Sequence, residues 1–526
     1  MQGSQDDHTN SALLAGSRWG DGSGKTVLSY SFADADSRYT DAARLFDATR
    51  SSFSAADQAT TRSVLAAISQ VCNLDFVEVT EAGGSPGTLR FAYSAYPNQL
   101  GYAGFGYFPS ALETGGDVWI GLDQADPQWA QYRPFLILHE TLHAIGLKHP
   151  ADASSTMATT VMSYAATPGS HSGALSSYPA QPMPADVAAL QALYGAAAHN
   201  PGDTRYDLSG PQWQTFCSLW DSSGIDTLDA TACRQGVTLD LQAGARSDVG
   251  ASVIAFNYSG AAGDWRYEQS VYTDTLAICA GCAIENAAGS AFDDVLLGNG
   301  ADNILDGGAG DDHLDGRGGN DVLRGGSGKD IFKVSSGNNR IDGEAGHDTV
   351  VFLGQRSAYR IEEASGQAKV VCLADGSVTG LTHIERVEFS DAVLATQAGP
   401  DVLPTGSAGQ AIRLYRAALD RMPDASGLTY QTQALESGTS LRDMASQFMA
   451  SAEFNTRFGQ PGNAEFVRSL YRNVFDRDPD AQGLAFHLGH LESGAAARAD
   501  LLVAFSESPE NQAALVGLGQ ASLSQV

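Results

Sequence analysis

The segment that decides the fold is PFLILHETLHAIGLKHP (134–150), in which three histidines, a glutamate and a glycine follow the pattern HExxHxxGxxH. On a helix, residues four apart share one face, so His139 and His143 can reach the same metal ion. Gly146 can adopt the left-handed conformation that ends a helix, and the returning chain then delivers His149 as a third ligand. We therefore predict one zinc ion held by these three imidazoles.

Glu140 directly follows the first predicted ligand, so we expect its carboxylate to face the open fourth coordination position. Zinc lowers the pKa of bound water to about 7, and a carboxylate placed there can take the proton of the attacking water. The alternative interpretation is a buried helix with satisfied histidines, which does not explain why three histidines converge beside an acid. The segment therefore predicts metal-dependent hydrolysis with Glu140 as the general base.

A second motif, TTVMSYAA, lies downstream of the third histidine. In it, Met162 is placed for a tight turn under a metal site and Tyr164 for reaching the zinc. A Met-turn after HExxHxxGxxH completes the metzincin pattern, and the chain resembles the serralysin-type metzincins, which are calcium-dependent zinc proteases secreted by bacteria. FSAADQ, LDFVEV, GDVWIGLD and PADVAALQALYG extend the resemblance over about residues 12–396.

The resemblance implies further roles for residues around the metal. Tyr164 would be a zinc-associated group that swings away and stabilises the developing oxyanion, while Met162 would support the metal floor without binding it. GDVWIGLD (116–123) would be an edge strand to which an extended substrate adds main-chain hydrogen bonds, with a core strand as the alternative. Asp186 would support the metal ligands from outside the coordination sphere.

Seven consecutive nine-residue frames from 289 to 351 follow the pattern GGxGxDxUx, where U is a large apolar residue. Glycines allow tight turns, the sixth position supplies a hard oxygen, and the eighth position points into a narrow core. A flexible Gly/Asp-rich linker is the alternative, but it does not explain an apolar residue recurring in frame. The predicted calcium ligands are Asp294, Asn303, Gly307, Gly308, Gly310, Asp312, Gly316, Gly319, Asp321, Gly325, Gly326, Gly328, Asp330 and Asp348.

Carboxylates on neighbouring coils would repel each other, so we expect folding of this parallel β-roll to require several structural calcium ions. In calcium-poor cytosol the roll would stay unfolded and could thread a secretion channel, whereas external calcium would fold it. The resemblance implies type I secretion. The sequence shows no membrane span and no N-terminal export signal, so we expect a secreted, extracellular protein.

The chain length and the net charge limit the possible domain organisation and the possible partners. The 526 residues exceed one ordinary core, and a formal net charge of −30 disfavours nucleic acid. We predict a multidomain protein with an α+β metzincin zinc-protease domain, a parallel β-roll (RTX) domain and a C-terminal all-α repeat domain. The predicted parts are the protease at 1–196, a β-rich connection at 197–288, the roll at 289–351, trailing strands and linker at 352–400, and the helical module at 405–526.

The C-terminal helical sequence is a tandem duplication, since LYR at 414–416 recurs at 470–472 and DRxPDxxGL also recurs. Pro and Gly would form the turn and Asp would cap the next helix, as two stacked helical repeats require. Asp476, Asp478 and Asp480 could chelate calcium, but the glycine spacing does not fit an EF-hand loop. A cell-surface or carbohydrate ligand for this module is a hypothesis only.

The combined motifs predict a zinc endopeptidase that acts on protein or peptide substrates. The alternative is a calcium-dependent surface-binding or adhesion protein with a vestigial protease domain, and the intact set of metal ligands argues against it. Cys279 and Cys282 form a single CxxC, which is open to interpretation as a redox pair, half a zinc site or a local disulfide.

Overall fold

The computed structural model describes residues 12–525 except 23, 35–36, 40–43, 82–85, 153, 171, 260–265, 365–366, 399–406, 422, 424, 460, 476, 509–510 and 512–520. Contacts divide the chain into two compact units, Met1–Ala288 and Gly289–Val526. The predicted boundaries near 196, 351 and 400 lie inside these units and stay predictions. Within the described ranges, no helix is both long and apolar enough to cross a membrane.

The first unit begins with a five-stranded sheet and the helices that cover it. The strands are β1 (Thr26–Phe32), β2 (Leu74–Glu78), β3 (Leu89–Ser94), β4 (Gly104–Gly106) and β5 (Asp117–Gly121). The helices are α1 (Arg44–Asp47), α2 (Ala55–Val71), α3 (Tyr96–Gln99), α4 (Arg133–Ala144) and α5 (Pro184–Tyr194). The sheet order is β2-β1-β3-β5-β4, with every pair parallel except β5 with β4.

Helix α2 helps to position α4. Ser54 caps α2 by accepting a hydrogen bond from the Asp57 N–H, which satisfies one of the free donors at the helix start. The Asp57 carboxylate in turn receives the Arg133 guanidinium at 2.6 Å, and both side chains are buried. A buried, paired charge therefore ties the first turn of α4 to α2.

The sheet corrects one sequence prediction. GDVWIGLD is not an edge strand, because β5 lies between β3 and β4 and all its residues are buried. The edge strand on this side of the sheet is β4, which pairs antiparallel with β5 through Gly104↔Ile120 and Gly106↔Val118. Two glycines in a three-residue strand leave no alternating apolar pattern, so sequence periodicity did not indicate it.

The rest of the first unit is made of short strands, as predicted for the region after about residue 200. They are β6 (Gly173–Leu175), β7 (Arg205–Asp207), β8 (Cys217–Leu219), β9 (Thr227–Asp229), β10 (Thr238–Asp240), β11 (Arg246–Ser247), β12 (Val253–Ser259), β13 (Arg266–Tyr272), β14 (Leu276–Ile278) and β15 (Asn286–Ala288). Strands β6, β12 and β13 form an antiparallel sheet, and β7, β9 and β15 pair in parallel. Cys279 and Cys282 are buried, free thiols.

The second unit begins with a parallel β-roll. The strands of the unit are β16 (Val295–Leu297), β17 (Ile304–Ala309), β18 (His313–Asp315), β19 (Val322–Gly328), β20 (Ile331–Val334), β21 (Asn339–Gly346), β22 (Thr349–Phe352), β23 (Tyr359–Ala364), β24 (Gln367–Cys372), β25 (Val378–Thr382), β26 (Arg386–Phe389), β27 (Ala392–Ala398) and β28 (Ala521–Gln525). Parallel pairing links β16, β18, β20, β22 and β26 on one side, and β17, β19, β21 and β25 on the other.

The eighth positions of the frames form the core between these two parallel sheets. All seven are buried: Leu296, Leu305, Leu314, Leu323, Phe332, Ile341 and Val350. A flexible linker would leave these side chains in water, so the ordered core favours the roll over the linker interpretation.

The second unit also holds seven helices among its described residues: α6 (Ser407–Leu419), α7 (Ala425–Glu436), α8 (Leu441–Ala450), α9 (Ala452–Phe458), α10 (Asn463–Phe475), α11 (Ala481–Glu492) and α12 (Arg498–Ser506). Both copies of the duplication contribute to one hydrophobic core, which includes Leu414, Phe448 and Phe505. Equivalent positions of the two copies meet, since the Asn473 side-chain amide donates to the Ala417 carbonyl at 3.2 Å. The duplication therefore forms one fused module.

The acidic residues of the DRxPDxxGL turn have structural roles where they are described. The Asp480 side chain accepts from the Gly483 N–H and caps α11, as predicted. Asp478 pairs with Arg472 at 2.9 Å. Asp476 lies outside the described residues, so the hypothetical calcium site there has no structural support.

Candidate metal centre

Helix α4 and the chain that follows it bring three imidazoles together. The His149 Nε2 atom lies 3.1 Å from His139 Nε2 and 3.0 Å from His143 Nε2. His139 and His143 are buried, and the three side chains form a group that can hold a metal ion. Residues predicted from their spacing alone therefore converge on one point.

The groups around these rings favour a metal cation between the three Nε2 atoms. His139 Nδ1 lies 2.7 Å from the Val161 carbonyl oxygen and His143 Nδ1 lies 2.8 Å from that of Leu147. A carbonyl only accepts, so each Nδ1 carries the hydrogen and each Nε2 presents its lone pair to the centre. Burial lowers the pKa of His143 to about 4 and lowers that of His139 as well, which disfavours a proton there. Imidazole lone pairs about 3 Å apart fit a shared zinc ion.

Gly146 ends α4 in a Schellman motif. Its N–H donates to the His143 carbonyl at 3.0 Å, and the Leu147 N–H donates to the Leu142 carbonyl at 2.9 Å. Gly146 has a φ of 111°, and a Cβ there would collide with the Ser17 carbonyl oxygen. Glycine is therefore the residue that lets the chain reverse and return toward the metal ligands.

We expect Gly146→Ala to destabilise the protein by about 1–3 kcal/mol or more, because a left-handed alanine is strained and its Cβ has no room. Zinc affinity should fall with it, since the turn carries His149. Thermal unfolding and zinc titration measure the two effects. Gly169→Ala is the matched control, because Gly169 also has a positive φ of 81° but has open space around it. Equal effects of the two substitutions would contradict the prediction.

Tyr164 reaches the same point as the three histidines. Its hydroxyl lies 2.9 Å from His149 Nε2, and its ring stacks on that of His139 with centroids 5.4 Å apart. The side chain is 49% exposed, so it has room to swing outward. Burial raises the pKa of Tyr164 to about 12, which keeps the phenol protonated and able to donate a hydrogen bond.

Glu140 lies on the buried side of the centre, against the edge strand β4. A Cβ at Gly104 would come 2.7 Å from Glu140 Oε1, and one at Gly106 would collide with the Glu140 main chain. The Gly106 N–H donates to the Glu140 carboxylate, while burial raises the pKa of Glu140 to about 8. The two glycines of β4 thus allow the strand to approach the helix closely. Among the described residues, no cationic side chain pairs with the Glu140 carboxylate.

Asp186 binds the turn that contains Met162, and its predicted role in supporting the metal ligands stays a prediction. Its carboxylate accepts from the Thr160 hydroxyl and, at 2.8 Å, from the Val161 N–H. The Val161 carbonyl is the group that faces His139 Nδ1. Met162 is fully buried in the same turn. Asp186 therefore holds the main-chain segment whose carbonyl contacts His139.

In the roll, sixth-position side chains bind the main chain of the preceding coil. Asp312 Oδ1 accepts from the Asp294 N–H at 2.8 Å, Asp330 Oδ1 from the Asp312 N–H at 2.9 Å, and Asp348 Oδ1 from the Asp330 N–H at 2.9 Å. The other side of the roll repeats this pattern with Asn303, Asp321 and Asn339. Each donor and its acceptor residue are 18 positions apart. These bonds form two ladders along the roll.

The second carboxylate oxygens point into glycine-lined cradles. Oδ2 of Asp312, Asp330 and Asp348 is buried with no hydrogen-bond partner among the described residues. A Cβ at Gly307 would fall between Asp312 Oδ2 and the Gly325 carbonyl oxygen, so glycine leaves that space open. Carboxylate and carbonyl oxygens around an open space fit a calcium ion.

The surroundings of these aspartates disfavour their ionised forms in the absence of a bound cation. Burial and neighbouring acids raise the pKa of Asp312 to about 8, of Asp330 to about 7 and of Asp348 to about 9. Burial raises the pKa of Asp321 to about 7. Buried like charges at this spacing require a bound cation to stay ionised at neutral pH.

Asp226 has similar surroundings in the first unit and was not predicted from the sequence. It is fully buried, its Oδ1 accepts from the Thr204 N–H at 2.8 Å, and its N–H donates to Glu285 Oε2 at 2.8 Å. The signal was present in DSSGIDTLD (221–229), where Asp226 takes the sixth position and the buried Leu228 the eighth. The absence of paired glycines hid this frame.

A helix bearing HExxH, followed by a glycine turn and a third histidine, carries the pattern of the metzincin metalloproteases. Curated relatives agree. The chain is 29% identical over 319 residues to the metallopeptidase AprA of Pseudomonas marginalis, covering 53% of this chain and 62% of that protein. It is 33% identical over 281 residues to serralysin G of Dickeya chrysanthemi, covering 47% and 54%. The serralysin of Photorhabdus laumondii is 29% identical over 285 residues, covering 48% and 55%.

Two family models match the second half of the chain. Residues 288–323 and 324–355 match the RTX calcium-binding nonapeptide repeat, and residues 445–515 match a domain of unknown function, DUF4214. The resemblance to serralysin-type metalloproteases with RTX repeats is thereby confirmed. The chain spans about half to three-fifths of the length of the relatives it matches.

Proposed function

We propose that this protein is a secreted, calcium-dependent zinc endopeptidase that hydrolyses protein substrates, with Glu140 as its general base. The observation that carries the proposal is the convergence of His139, His143 and His149 beside a buried carboxylate. Its relatives are described as serralysins and metallopeptidases, which supports the same reaction. The alternative of an adhesion protein does not explain why these four side chains lie together.

The chain's own residues account for the proton transfers and for binding of the oxyanion. Zinc held by the three imidazoles supplies Lewis acidity toward a peptide carbonyl and toward water. Glu140 takes the proton of the attacking water and passes it to the leaving amine. Tyr164 turns outward, as its exposure allows, and donates its hydroxyl hydrogen to the developing oxyanion.

Strand β4 is the binding edge for an extended substrate in this proposal. It is the last strand of its sheet, and Gly104 and Gly106 face Glu140 on α4. A peptide that adds to this edge would pair mainly through its main chain, which favours broad sequence tolerance. The side chains of Tyr102 and Phe108 on either side are 55% and 42% exposed and offer apolar contacts to the substrate.

Calcium has a structural role in the proposed enzyme. The RTX repeats support calcium binding and, with it, type I secretion of a chain that folds outside the cell. Asp294, Asn303 and the other sixth-position residues, with the glycines predicted beside them, would hold several ions. The helical module belongs to a family of unknown function, so its cell-surface or carbohydrate ligand stays a hypothesis.

The test of the proposed activity is removal of zinc with calcium present. We expect 1,10-phenanthroline to reduce casein cleavage by the full chain at least about 100-fold, because the three imidazoles would lose the ion that would supply the Lewis acidity. Adding zinc should restore cleavage, and far-UV circular dichroism should stay constant throughout. Cleavage that persists after zinc is shown to be absent would contradict the proposal.

A further inference from the structure

The ladder of side-chain to main-chain hydrogen bonds continues beyond the last nonapeptide frame. The Asp348 N–H donates to Glu385 Oε2 at 2.8 Å, and the Arg386 N–H donates to the Asp348 carbonyl at 3.0 Å. One coil earlier, the Asp330 N–H donates to Asp348 Oδ1 at 2.9 Å, and the Thr349 N–H to the Asp330 carbonyl at 2.8 Å. Glu385 therefore takes the place of a sixth-position aspartate.

Strand pairing supports the same equivalence. Strand β26 extends the parallel sheet from β22, with Val350 opposite Val387, and both side chains are fully buried. On the other side, β25 extends the sheet from β21, with Ile341 opposite Leu381. The roll thus gains one more coil after an inserted hairpin, β23–β24, and this coil lies beyond the matched repeats, which end at residue 355.

The turn of this last coil differs from the repeat turns. Asp342 lies opposite Thr382, and Thr349 lies opposite Arg386. Six residues (343–348) separate the first pair of positions from the second in the last repeat, whereas only three (383–385) separate them in the added coil. The longer side chain of glutamate compensates for the shorter turn and still reaches the Asp348 N–H. The turn also fixes a carbonyl, because His383 has a φ of 50° and its Nδ1 lies 2.7 Å from Asp342 Oδ1.

That carbonyl completes a cradle like those of the repeats. A Cβ at Gly343 would collide with both Asp348 Oδ2 and the His383 carbonyl oxygen. At Gly307 the same place is bounded by an aspartate Oδ2 and by the carbonyl of a glycine one coil later. Asp348 is 1% exposed and its Oδ2 has no hydrogen-bond partner among the described residues. An unpaired buried oxygen is costly, and here it points into an oxygen-lined space.

We propose that Asp348, the His383 carbonyl and Glu385 form a further calcium site, which closes the C-terminal end of the roll. The site rests on the calcium-binding part of the proposed function and is independent of proteolysis. Two carboxylates and a carbonyl supply the hard oxygen ligands that calcium prefers. The ion would join the turn between β25 and β26 to the last repeat.

The number of calcium ions bound per chain tests this site. Native mass spectrometry of the full chain in calcium should show one ion fewer for Glu385→Gln than for the wild type, although glutamine can still accept from the Asp348 N–H. Glu385→Asp should also lose one ion, because the shorter side chain cannot span the short turn. Glu388→Gln is the control, because this substitution removes the same charge from a residue that pairs with Arg386 at 2.6 Å. It should bind as many ions as the wild type.

Equal ion counts for the wild type and Glu385→Gln would overturn this site alone. A wild-type chain that binds no calcium would instead overturn the calcium dependence in the proposed function, and this site with it. Crystals of the calcium-loaded wild type provide a measurement that does not depend on a variant's folding. An anomalous calcium peak between Asp348 and Glu385 is expected, and its absence while the repeat sites are filled would overturn the proposal.

Discussion

Glu140→Gln should lower kcat/KM for a peptide substrate by about 10²–10⁴-fold, the range that a general base contributes. Glutamine has the same shape and can still accept from the Gly106 N–H, but it cannot take a proton from water. Zinc content should remain at one ion per chain, because the three imidazole ligands are untouched. Steady-state kinetics on a fluorogenic peptide and elemental analysis measure the two quantities.

Glu113→Gln is the matched control for this substitution, because Glu113 is an exposed acid in the same unit and its loss changes the net charge equally. We expect its kcat/KM to match that of the wild type. Activity retained by Glu140→Gln would contradict the assignment of the base. A loss of zinc together with activity would show that Glu140 acts on metal binding instead.

Removing calcium with EGTA should unfold the roll between residues 289 and 389. Without the ion, Asp312, Asp330 and Asp348 are buried like charges whose Oδ2 atoms have no hydrogen-bond partner in the described structure. The cost of such uncompensated carboxylates exceeds what the narrow core of one apolar side chain per frame can offset. Loss of β-type circular dichroism and rapid trypsin cleavage within 289–389 are the expected results, both reversed by calcium.

A single substitution sharpens this prediction. Asp330→Asn keeps the acceptor for the Asp312 N–H but removes one negative charge from the cradle, so it should raise the calcium concentration at the folding midpoint several-fold. Asp311→Asn is the control, because Asp311 is exposed and accepts from the Lys329 N–H through an oxygen that asparagine also has. A roll that stays folded in EGTA, or equal midpoints for the two variants, would contradict the calcium requirement.

The candidate zinc ligands and the repeats could be predicted from the sequence because both depend on short-range geometry. One helical turn separates His139 from His143, and a glycine reversal of three residues reaches His149, so spacing alone specifies their convergence. The apolar eighth positions recur every nine residues, and the structure buries all of them. In both cases the interacting groups lie within a few residues or repeat at a constant period.

Features set by pairing between distant segments could not be read in this way. The sequence predicted β5 as the edge strand, but β4 pairs with β5 and forms the edge instead. A strand of two glycines and one phenylalanine carries no periodic signal. Glu385 was also missed, because an inserted hairpin separates it from Asp348 and breaks the nine-residue period. Asp226 escaped because its frame lacks paired glycines.

The sequence by itself therefore determined the identity and spacing of the candidate metal-binding side chains, the seven frames and the helical duplication. Only the tertiary structure decided which strand forms the edge beside Glu140, how Asp186 holds the Met-turn, and that the two helical copies share one core. The physical reason is that hydrogen bonds within a turn depend on local dihedral angles, whereas strand order and shared cores depend on contacts between segments far apart in the chain.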